Sequence, residues 1–537
     1  MTRSRTLIFL LIAAFLSILS HPVVLGGWKL PDLGFLAFVS YVPLFWVVLH
    51  KNESKIFGKV FFFAFLFYLG TLYWLYNALH GYGHLDPAIS ILVLLILACI
   101  LATYLSVIFV FSRFVEKRLS IPVFWTLPVF WVALEWCRTQ WPLGGFPWAQ
   151  AGYSQWKNLN LIQISDLFAV YGVTALLIWA NLGIFEFIRS FQNKCFSKIS
   201  VVKIIFVFLL LGLSLVYGSK RKSGIENISK NSPHFSLALL QGNIPQDEKW
   251  LSEEAENILK IYQKMTREAF SQKEKAVQLV IWPEASFPYE IALDQPKDFE
   301  YVGSFEGDIL VGSVSYENKG RLPPATLYTP IDYPVYNSAL LIKPGAQFSG
   351  AYFKHHLVPY GEYIPLKEIL PFIGKLTGQM GEFVRGTEYN LLKSGNAAMG
   401  ILICYEDIFP SIAQTLTRNG ANLLVNITND AWYGDSSALP QHLSFSTFRA
   451  IENRRSLVRA TNTGMTASFD AAGNIWGLLP SFEQRILYDQ VPLLTVPSFY
   501  SQHGDIFAYT CIAFSGLLIV LSLIGRHPGL EPGSHLH

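Results

Sequence analysis

Long apolar stretches dominate the first 218 residues of this chain, and their lengths are close to what a bilayer requires. A transmembrane helix needs about 20 consecutive, mostly apolar residues. Seven such stretches occur before residue 218, and an eighth stands alone near the C-terminus. The pattern therefore predicts an α-helical membrane bundle with spans at residues 6–25, 33–50, 58–79, 87–114, 121–137, 163–188, 201–218 and 506–524.

Two of these stretches need a closer look. The first resembles a secretory signal because Arg3 and Arg5 precede its apolar core. No convincing small-residue cleavage site follows and further spans do, so we interpret it as a retained anchor. The stretch at 121–137 contains Pro122 and Glu135, which leaves its two ends poorly defined.

Composition agrees with a membrane protein. Hydrophobic residues make up 52% of the chain and charged residues 15%, and the formal net charge is +3. A soluble globular protein usually carries about 25% charged residues. We therefore expect the bilayer, and no nucleic acid, as a partner of this chain.

Lysine and arginine residues are unevenly distributed between alternate loops, and cytoplasmic loops are the ones that collect them. With a cytoplasmic N-terminus, the opposite short loops hold only Lys29, Arg138 and Lys157. Residues 220–222 are basic and argue mildly the other way, but they begin a long translocated domain, where the rule is weak. The cytoplasmic loops then hold Lys51, Lys55, Lys59, Arg113, Lys117, Arg118, Arg189, Lys194, Lys198 and Lys203.

This orientation gives a domain plan. Residues 1–218 form the membrane region and residues 219–504 a domain outside the cytoplasm. Residues 505–525 form a last transmembrane helix, and residues 526–537 a cytoplasmic tail. We expect a monomer.

From about residue 234 the pattern changes to short β-rich runs that alternate with amphipathic segments. Helices are predicted at 251–273, 409–419 and 438–460, which gives an α/β or layered α+β domain. The candidate strands are Phe235–Leu240, Leu279–Trp282, Asp308–Val314, Ser338–Ile342, Ala398–Cys404, Asn422–Ile427, Thr466–Asp470 and Ile486–Val491.

The stretch Pro359–Asn390 is rich in glycine, proline and aromatic residues. Loops of this length are usually functional lids or disordered linkers, and the aromatic content argues against disorder. A structured arm that only packs against the core remains the alternative. The apolar residues that would suit contact with lipid are Leu366, Ile369, Leu370, Phe372, Ile373 and Leu376.

Three residues of the polar region point to chemistry. Cys404 is the only cysteine there, and it ends a predicted buried strand. A thiol near its ordinary pKa of about 8.5 needs a base or a cation to become a nucleophile. Glu284 follows another strand and can take the proton, and Lys354 can stabilise negative charge. Taken singly, each has a structural alternative: a solvated carboxylate, a lysine with its head in solvent and a core cysteine.

The surroundings of these residues resemble the nitrilase, or carbon–nitrogen hydrolase, superfamily. The run Phe353–Pro365, FKHHLVPYGEYIP, is similar to the lysine segment of bacterial apolipoprotein N-acyltransferases. Gly145–Trp148, followed by Gly152–Gln155, resembles a loop of the same family. The resemblance covers essentially the whole chain and implies eight spans with a four-layer αββα domain between the last two. It also implies a place in the bacterial inner membrane, with that domain in the periplasm.

The resemblance also implies roles for individual residues. Glu284 would be the general base, Lys354 the stabiliser of the oxyanion and Cys404 the nucleophile that accepts the acyl group. The backbone N–H of Tyr405 is a candidate for the oxyanion hole, and Asn337 is equally well explained as a turn residue. The implied supporting and substrate-binding residues are Glu362, Tyr405, Glu406, Trp250 and Asn337.

Two positions depart from the family pattern. Asp407 and Tyr360 stand where more apolar or alternative residues are expected, and neither affects the assignment of the three catalytic residues. His355 and His356 lack the neighbouring ligands of a metal site, so neither a metal nor another cofactor is expected.

The implied reaction has two steps. Cys404 would take a fatty acyl chain from a phospholipid as a thioester, and the α-amine of a diacylglyceryl-cysteine lipoprotein would then receive it. A membrane-tethered amidase that uses water as the acceptor is the alternative enzyme. A transporter or receptor is a third interpretation, with little support because few charged residues lie within the spans.

Overall fold

The computed structural model of the chain describes residues 2–49, 55–317, 334–364 and 383–524. These residues form two compact units. The first unit contains residues up to 73, residues 91–219 and the chain from 505 onward. The second contains residues 74–90 and 220–504. The predicted domain plan did not separate residues 74–90 from the membrane region.

Helices make up nearly all of the first unit and connect the strands of the second. In chain order the described α-helices are α1 (Arg3–Leu19), α2 (Val42–Val48), α3 (Ile56–Thr71), α4 (Pro87–Leu119), α5 (Val123–Arg138), α6 (Leu159–Ile162), α7 (Ser165–Gln192), α8 (Lys198–Lys230), α9 (Ala255–Ser271), α10 (Pro296–Glu300), α11 (Pro410–Arg418), α12 (Ala438–Asn453), α13 (Phe499–His503) and α14 (Ile506–Ile524).

Four of the described helices, α4, α7, α8 and α14, are long and apolar enough to cross a membrane. The other predicted spans correspond to shorter apolar helices in the described part of the chain. Helix α1 has 17 residues, and α3 and α5 have 16 each. The predicted span at 33–50 divides into a 3-10 turn at Gly34–Phe38 and the seven-residue helix α2.

A buried carboxylate lies among the apolar helices of the first unit. Glu135 on α5 accepts hydrogen bonds from the Trp131 indole at 3.1 Å and from the Thr174 hydroxyl at 2.9 Å. It also accepts the backbone N–H of Ala151, at 3.3 Å. Three donors satisfy most of its lone pairs, so Glu135 connects α5 with α7 and with the 3-10 turn that begins at Ala151.

The second unit contains two large sheets. One has the strand order β14-β13-β12-β11-β10-β9, and the other has the order β15-β3-β4-β6-β7-β8, with β5 paired to β6. A separate hairpin, β1 (Val24–Leu25) with β2 (Trp28–Lys29), belongs to the first unit. The strands of the two sheets are β3 (His234–Gln241), β4 (Leu279–Ile281), β5 (Glu290–Ala292), β6 (Asp308–Tyr316), β7 (Val335–Lys343), β8 (Gln347–Phe353), β9 (Leu392–Ser394), β10 (Ala397–Ile403), β11 (Leu423–Thr428), β12 (Ser456–Thr461), β13 (Ala467–Phe469), β14 (Ile475–Leu478) and β15 (Arg485–Pro492).

The sheets and helices lie in four layers. Helix α9 packs on β3 and β15 of one sheet, that sheet contacts the other through β12 and β3, and α11 and α12 cover the outer face of the second sheet. The interface beneath α9 is apolar and closed to solvent, which is what holds these layers together. The layer order is helix, sheet, sheet, helix, as predicted.

Parallel pairing in the sheet that contains β10, β11 and β12 brings several strand ends to one edge. Strands β10, β11 and β12 are parallel neighbours, with Ile403 opposite Ile427 and Thr428 opposite Thr461. In the other sheet, β3, β4 and β6 are also parallel. Side chains that follow these strands are therefore presented together, which is where α/β folds place ligand sites.

The pattern of apolar and polar residues gave the wrong end for one helix and did not reveal several strands. The helix predicted at 438–460 ends at Asn453, and residues 456–461 form strand β12 instead. The chain reverses at Arg454, whose φ is 51°, so the apolar run after it enters the sheet. The missed strands β8 and β14 are largely exposed, so they lack the alternation of buried and exposed positions on which the prediction depended.

Candidate active site

Cys404 lies directly after β10, at the edge where the parallel strands end. Its φ is 52°, a value that residues other than glycine rarely adopt. The left-handed turn takes the chain out of the strand and into a short helical turn, Cys404–Ile408. Strained backbone of this kind is typical of functional positions and persists only where the surroundings fix it.

Glu284 follows β4 in the other sheet, and its side chain is buried. One carboxylate oxygen, Oε2, accepts the backbone N–H of Asn429 at 2.9 Å. The other, Oε1, accepts the Asn337 amide at 2.8 Å and the Lys354 ammonium at 3.2 Å. The Cys404 thiol interacts with this carboxylate and is one of the groups that lower the pKa of Glu284. The two sheets thus bring a carboxylate, an ammonium group and a thiol into one cluster.

Lys354 follows β8 and is 1% exposed. Its ammonium group is shared between two carboxylates, Glu284 at 3.2 Å and Glu362 at 2.9 Å. Asn337 donates to the same Glu362 oxygen at 2.7 Å, and the backbone N–H of Val358 donates to the other at 2.8 Å. Glu362 and Asn337 therefore fix the position of the ammonium group beside the thiol.

The charges of this cluster act on one another strongly because it is buried. Burial would raise the pKa of Glu284, but Lys354 and further donors hold it below its usual value. Burial, together with the Glu284 carboxylate, raises the pKa of the Cys404 thiol well above its ordinary range. Burial lowers and the two carboxylates raise the pKa of Lys354, with a net increase. At neutral pH the cluster holds a protonated thiol, an ionised Glu284 and a charged lysine.

This balance defines what the cluster can do. A protonated thiol beside an ionised carboxylate gives up its proton only as the sulfur attacks an electrophile, because free thiolate is disfavoured there. The Lys354 ammonium group partly offsets the increase in the pKa of Cys404, while the single hydroxyl proton of Thr428, on the neighbouring strand, is donated to Asp430 at 3.1 Å. The arrangement suits general-base-assisted attack of sulfur on a carbonyl carbon.

Tyr405 and Glu406, which follow Cys404 directly, have structural partners of their own. The Tyr405 ring lies 5.2 Å from that of Phe409, centroid to centroid. Glu406 is fully buried and accepts the backbone N–H groups of His355 and Ile403 at 2.7 and 2.8 Å. Burial raises the pKa of Glu406 to about 7, opposed by these donors. Glu406 ties the turn of the thiol to the segment of the lysine.

Trp250 is the most exposed of the predicted site residues. Its side chain is 45% exposed, and the ammonium group of Lys249 lies 5.8 Å from the centroid of its ring. Most of the predicted lid, including every apolar residue proposed to contact lipid, lies at 365–382, outside the described residues. Tyr360, at its start, adopts a φ of 60°.

The sequence interpretation missed a charged network behind the thiol. Asp407, expected to be apolar, is fully buried and pairs with Arg459 at 3.0 Å and with His442 at 2.9 Å. Both cations also contact Asp430, at 2.8 and 2.9 Å. Burial lowers the pKa of His442, but Asp407 and Asp430 raise it to a net value above the ordinary one. The signal in the sequence was a lone arginine, Arg459, inside an apolar strand.

Lys249 was missed as well. It is 5% exposed, and its ammonium group donates to the main-chain oxygen of Glu284 at 3.0 Å. Its neighbour Trp250 was predicted as the site residue instead. A buried lysine in a short polar segment leaves no periodic pattern that sequence analysis can use.

Comparison with known proteins covers both parts of the chain. A model of the apolipoprotein N-acyltransferase N-terminal domain matches residues 10–183, and a carbon-nitrogen hydrolase model matches residues 236–499. A solved carbon-nitrogen hydrolase from Helicobacter pylori shares 14% identity over 51% of this chain and 94% of its own, with a TM-score of 0.37. A TM-score this low adds nothing to the family matches.

Two full-length relatives settle the family. An apolipoprotein N-acyltransferase of Geobacter metallireducens is 35% identical over 520 residues, which is 96% of both chains. An apolipoprotein N-acyltransferase of Nitrosomonas europaea is 31% identical over 521 residues, which is 92% of this chain and 95% of the relative. This chain therefore belongs to the apolipoprotein N-acyltransferase family.

Proposed function

We propose that this chain transfers a fatty acyl group from a membrane phospholipid to the N-terminal α-amine of a diacylated apolipoprotein, through a thioester on Cys404. The observation that carries the proposal is the buried ion pair of Glu284 with the Lys354 ammonium group, 3.2 Å apart, in a cluster where both groups act on the charge of the Cys404 thiol. Family membership supports the acyl-transfer reaction, and the cluster supplies groups for each of its proton transfers.

In the first step, the sulfur of Cys404 attacks the ester carbonyl of the phospholipid while its proton passes to Glu284. Negative charge develops on the carbonyl oxygen, and the Lys354 ammonium group stabilises it. The C–O bond then breaks, and the leaving alkoxide takes the proton from Glu284. The products are a lysophospholipid and an acyl thioester on Cys404.

In the second step, the neutral α-amine of the lipoprotein attacks the thioester carbonyl and loses a proton to Glu284. The C–S bond breaks, and the departing sulfur of Cys404 recovers that proton. An amide has formed and the enzyme is in its starting state. Because both substrates are anchored in lipid, an enzyme held at the bilayer increases the chance that they meet.

The first experiment detects the thioester by intact mass after incubation with phospholipid. The full-length protein should gain the mass of one acyl chain, and hydroxylamine should remove it. Cys404→Ala should gain nothing, while Cys511→Ala, which alters a cysteine of helix α14, should behave like the native protein. An adduct that survives in Cys404→Ala would contradict the proposal.

A chase of the isolated thioester then separates acyltransferase from amidase. A diacylated lipopeptide should remove the acyl group and gain its mass as an amide. If water removes the acyl group as fast as the lipopeptide does, the amidase alternative is correct. Glu284→Gln should slow both steps, because no base remains for the thiol or the amine.

We also propose that eight apolar segments cross the inner membrane, seven as single helices and one as the broken segment Gly34–Val48, with residues 219–504 in the periplasm. Helices of 16 or 17 residues rise about 25 Å, close to the roughly 30 Å thickness of the hydrocarbon core. Cys195 is exposed in the loop between α7 and α8, on the predicted cytoplasmic side. A membrane-impermeant maleimide should label it in inverted vesicles, and labelling in intact spheroplasts would refute this topology. Cys195→Ser is the control.

A further inference from the structure

The proposed cluster carries an excess of negative charge if only its predicted residues are counted. Glu284 and Glu362 are both carboxylates, and both contact the single ammonium group of Lys354. Two negative charges and one positive charge leave the buried cluster one unit negative. An uncompensated buried charge is costly, and it opposes the formation of further negative charge on sulfur or on a carbonyl oxygen.

Lys249 supplies the missing positive charge. It lies in the segment after β3, is 5% exposed and donates to the Glu284 main-chain oxygen at 3.0 Å. Its charge interacts with the Glu284 carboxylate and with Cys404. Of the three N–H groups of its ammonium, one has an acceptor among the described residues, and that acceptor belongs to the catalytic base.

We propose that Lys249 is a second cation of the active site, a positioning residue that fixes the backbone of Glu284 and balances the second carboxylate, so that the Cys404 thiol can be deprotonated. The inference deepens the proposed function and depends on it. Lys354 acts directly on the reacting oxygen, whereas Lys249 acts through Glu284 and through the charge of the pocket.

The contact with Glu284 explains why a lysine is placed here. A hydrogen bond to the main-chain oxygen holds the base where its carboxylate reaches the thiol. The Glu284 carboxylate already accepts three hydrogen bonds, one of them from Lys354, and a second ammonium group paired with it would compete with the thiol for the remaining acceptor site. Lys249 therefore contributes its charge while leaving the carboxylate available.

The ionisation of Lys249 falls in an accessible range of pH. Burial lowers its pKa to about 8, and Glu284 and Cys404 oppose that decrease. These two groups face it from the neighbouring elements, and Asp247 and Glu248 flank it in its own segment. The pKa of Glu284 is lowered, so this carboxyl group is already ionised near pH 8. The pKa of Cys404 is raised, so the thiol is still protonated there. The positive charge is present below about pH 8 and is lost above it.

The test compares Lys249→Gln, Lys249→Arg and the native full-length protein. One readout is the rate at which iodoacetamide alkylates Cys404 at pH 7, followed by peptide mass, which needs no lipid. We expect Lys249→Gln to react about tenfold more slowly, because the loss of a nearby positive charge raises the pKa of a thiol by about one unit. Lys249→Arg should keep the rate within about threefold of native.

The second readout is the pH dependence of thioester formation. The native rate should fall as pH rises through about 8. Lys249→Arg should shift that decrease upward by at least one pH unit, since arginine keeps its proton. Lys260→Gln is the matched control: that lysine pairs with Glu256 on α9, and its side chain is 64% exposed.

The outcomes of these experiments decide whether Lys249 acts on the Cys404 thiol. Native alkylation and an unchanged pH profile in folded Lys249→Gln would overturn it. If Lys249→Gln does not fold, a decrease near pH 8 that persists in Lys249→Arg would overturn it equally. Absence of a thioester in the native protein would reject the proposed function instead, and the alkylation rates would still measure the effect of Lys249 on the thiol.

Discussion

At the scale of single residues, the buried Glu406 carboxylate accepts hydrogen bonds on both of its oxygens. Its Oε1 accepts the backbone N–H groups of His355 and His356, at 2.7 and 3.1 Å. Its Oε2 accepts the backbone N–H of Ile403 at 2.8 Å and the Tyr352 hydroxyl at 3.2 Å. Every partner is a donor, so only a group with two acceptor oxygens fits there.

Glu406→Gln should therefore destabilise the protein although its shape hardly changes. Whichever way the amide is turned, its NH₂ group faces backbone N–H groups that lose their acceptor. Each buried donor left unsatisfied costs about 1–3 kcal/mol, which should lower the melting temperature by several degrees. Glu256→Gln, at a side chain that is 71% exposed, is the control. Equal melting of the two variants would contradict this interpretation.

The sequence allowed some of these residues to be recognised and not others. Cys404 and Glu284 each follow an apolar run, and such runs predict strands whose ends carry functional groups. Asp407 does so too, but its partner Arg459 lies 52 positions away. A pairing over such a distance leaves no local pattern, so Asp407 was read only as a departure from the family.

At the scale of elements, the charged network holds three strands and a helix together. Asp407 follows β10, Asp430 follows β11, Arg459 lies on β12 and His442 on α12. All four side chains are buried. Their ion pairs lie at the sheet edge that presents Cys404, so the network fixes the strand ends behind the thiol.

Asp407→Ala should break this network and leave Arg459 and His442 with one carboxylate between them. Removal of one partner from a buried ion pair costs about 3–5 kcal/mol. Ser446→Ala is the matched comparison, because it removes only a neutral donor that lies 2.8 Å from the same carboxylate. Thermal melting in detergent should rank native above Ser446→Ala and Ser446→Ala well above Asp407→Ala. The reverse order of the two variants would refute the role of the network.

The pattern of apolar residues was a good guide to the central strands and a poor one at the edges. Strands β10 and β11 are buried on both faces, and continuous apolar runs revealed them. Strand β8 alternates little, and β12 follows a helix so closely that its apolar residues extended the helical pattern. Pairing with distant strands, rather than local preference, decides such segments.

At the scale of the whole molecule, the second unit is assembled from two separate parts of the chain. Residues 74–90, which are the segment between α3 and α4 together with the first turn of α4, belong to it. The Trp74 indole donates to Gln441 at 3.1 Å, and its ring meets that of Tyr433 edge-on at 4.9 Å. Asn77 donates to the Tyr433 carbonyl at 3.3 Å.

Trp74→Ala should loosen the loop that carries Tyr433, because Trp74 is 1% exposed and its loss leaves a cavity. Truncation of a buried tryptophan typically costs about 3–5 kcal/mol. Trp74→Phe keeps a ring beside Tyr433 and loses only the indole N–H, so a much smaller effect is expected. Limited proteolysis at residues 430–437 and the rate of thioester formation measure both variants. Native behaviour of Trp74→Ala would show that the contact is dispensable.

The split of the second unit also has a consequence for biosynthesis. Trp74 and Gln441 are separated by 367 residues, and a ribosome adds about 5–20 residues per second, a delay of roughly 20 to 70 s. During that delay the segment has left the ribosome while the residues it will contact do not yet exist. Completion of this part of the unit therefore waits for the synthesis of Gln441, and until then its aromatic rings are available to chaperones or to the translocation machinery.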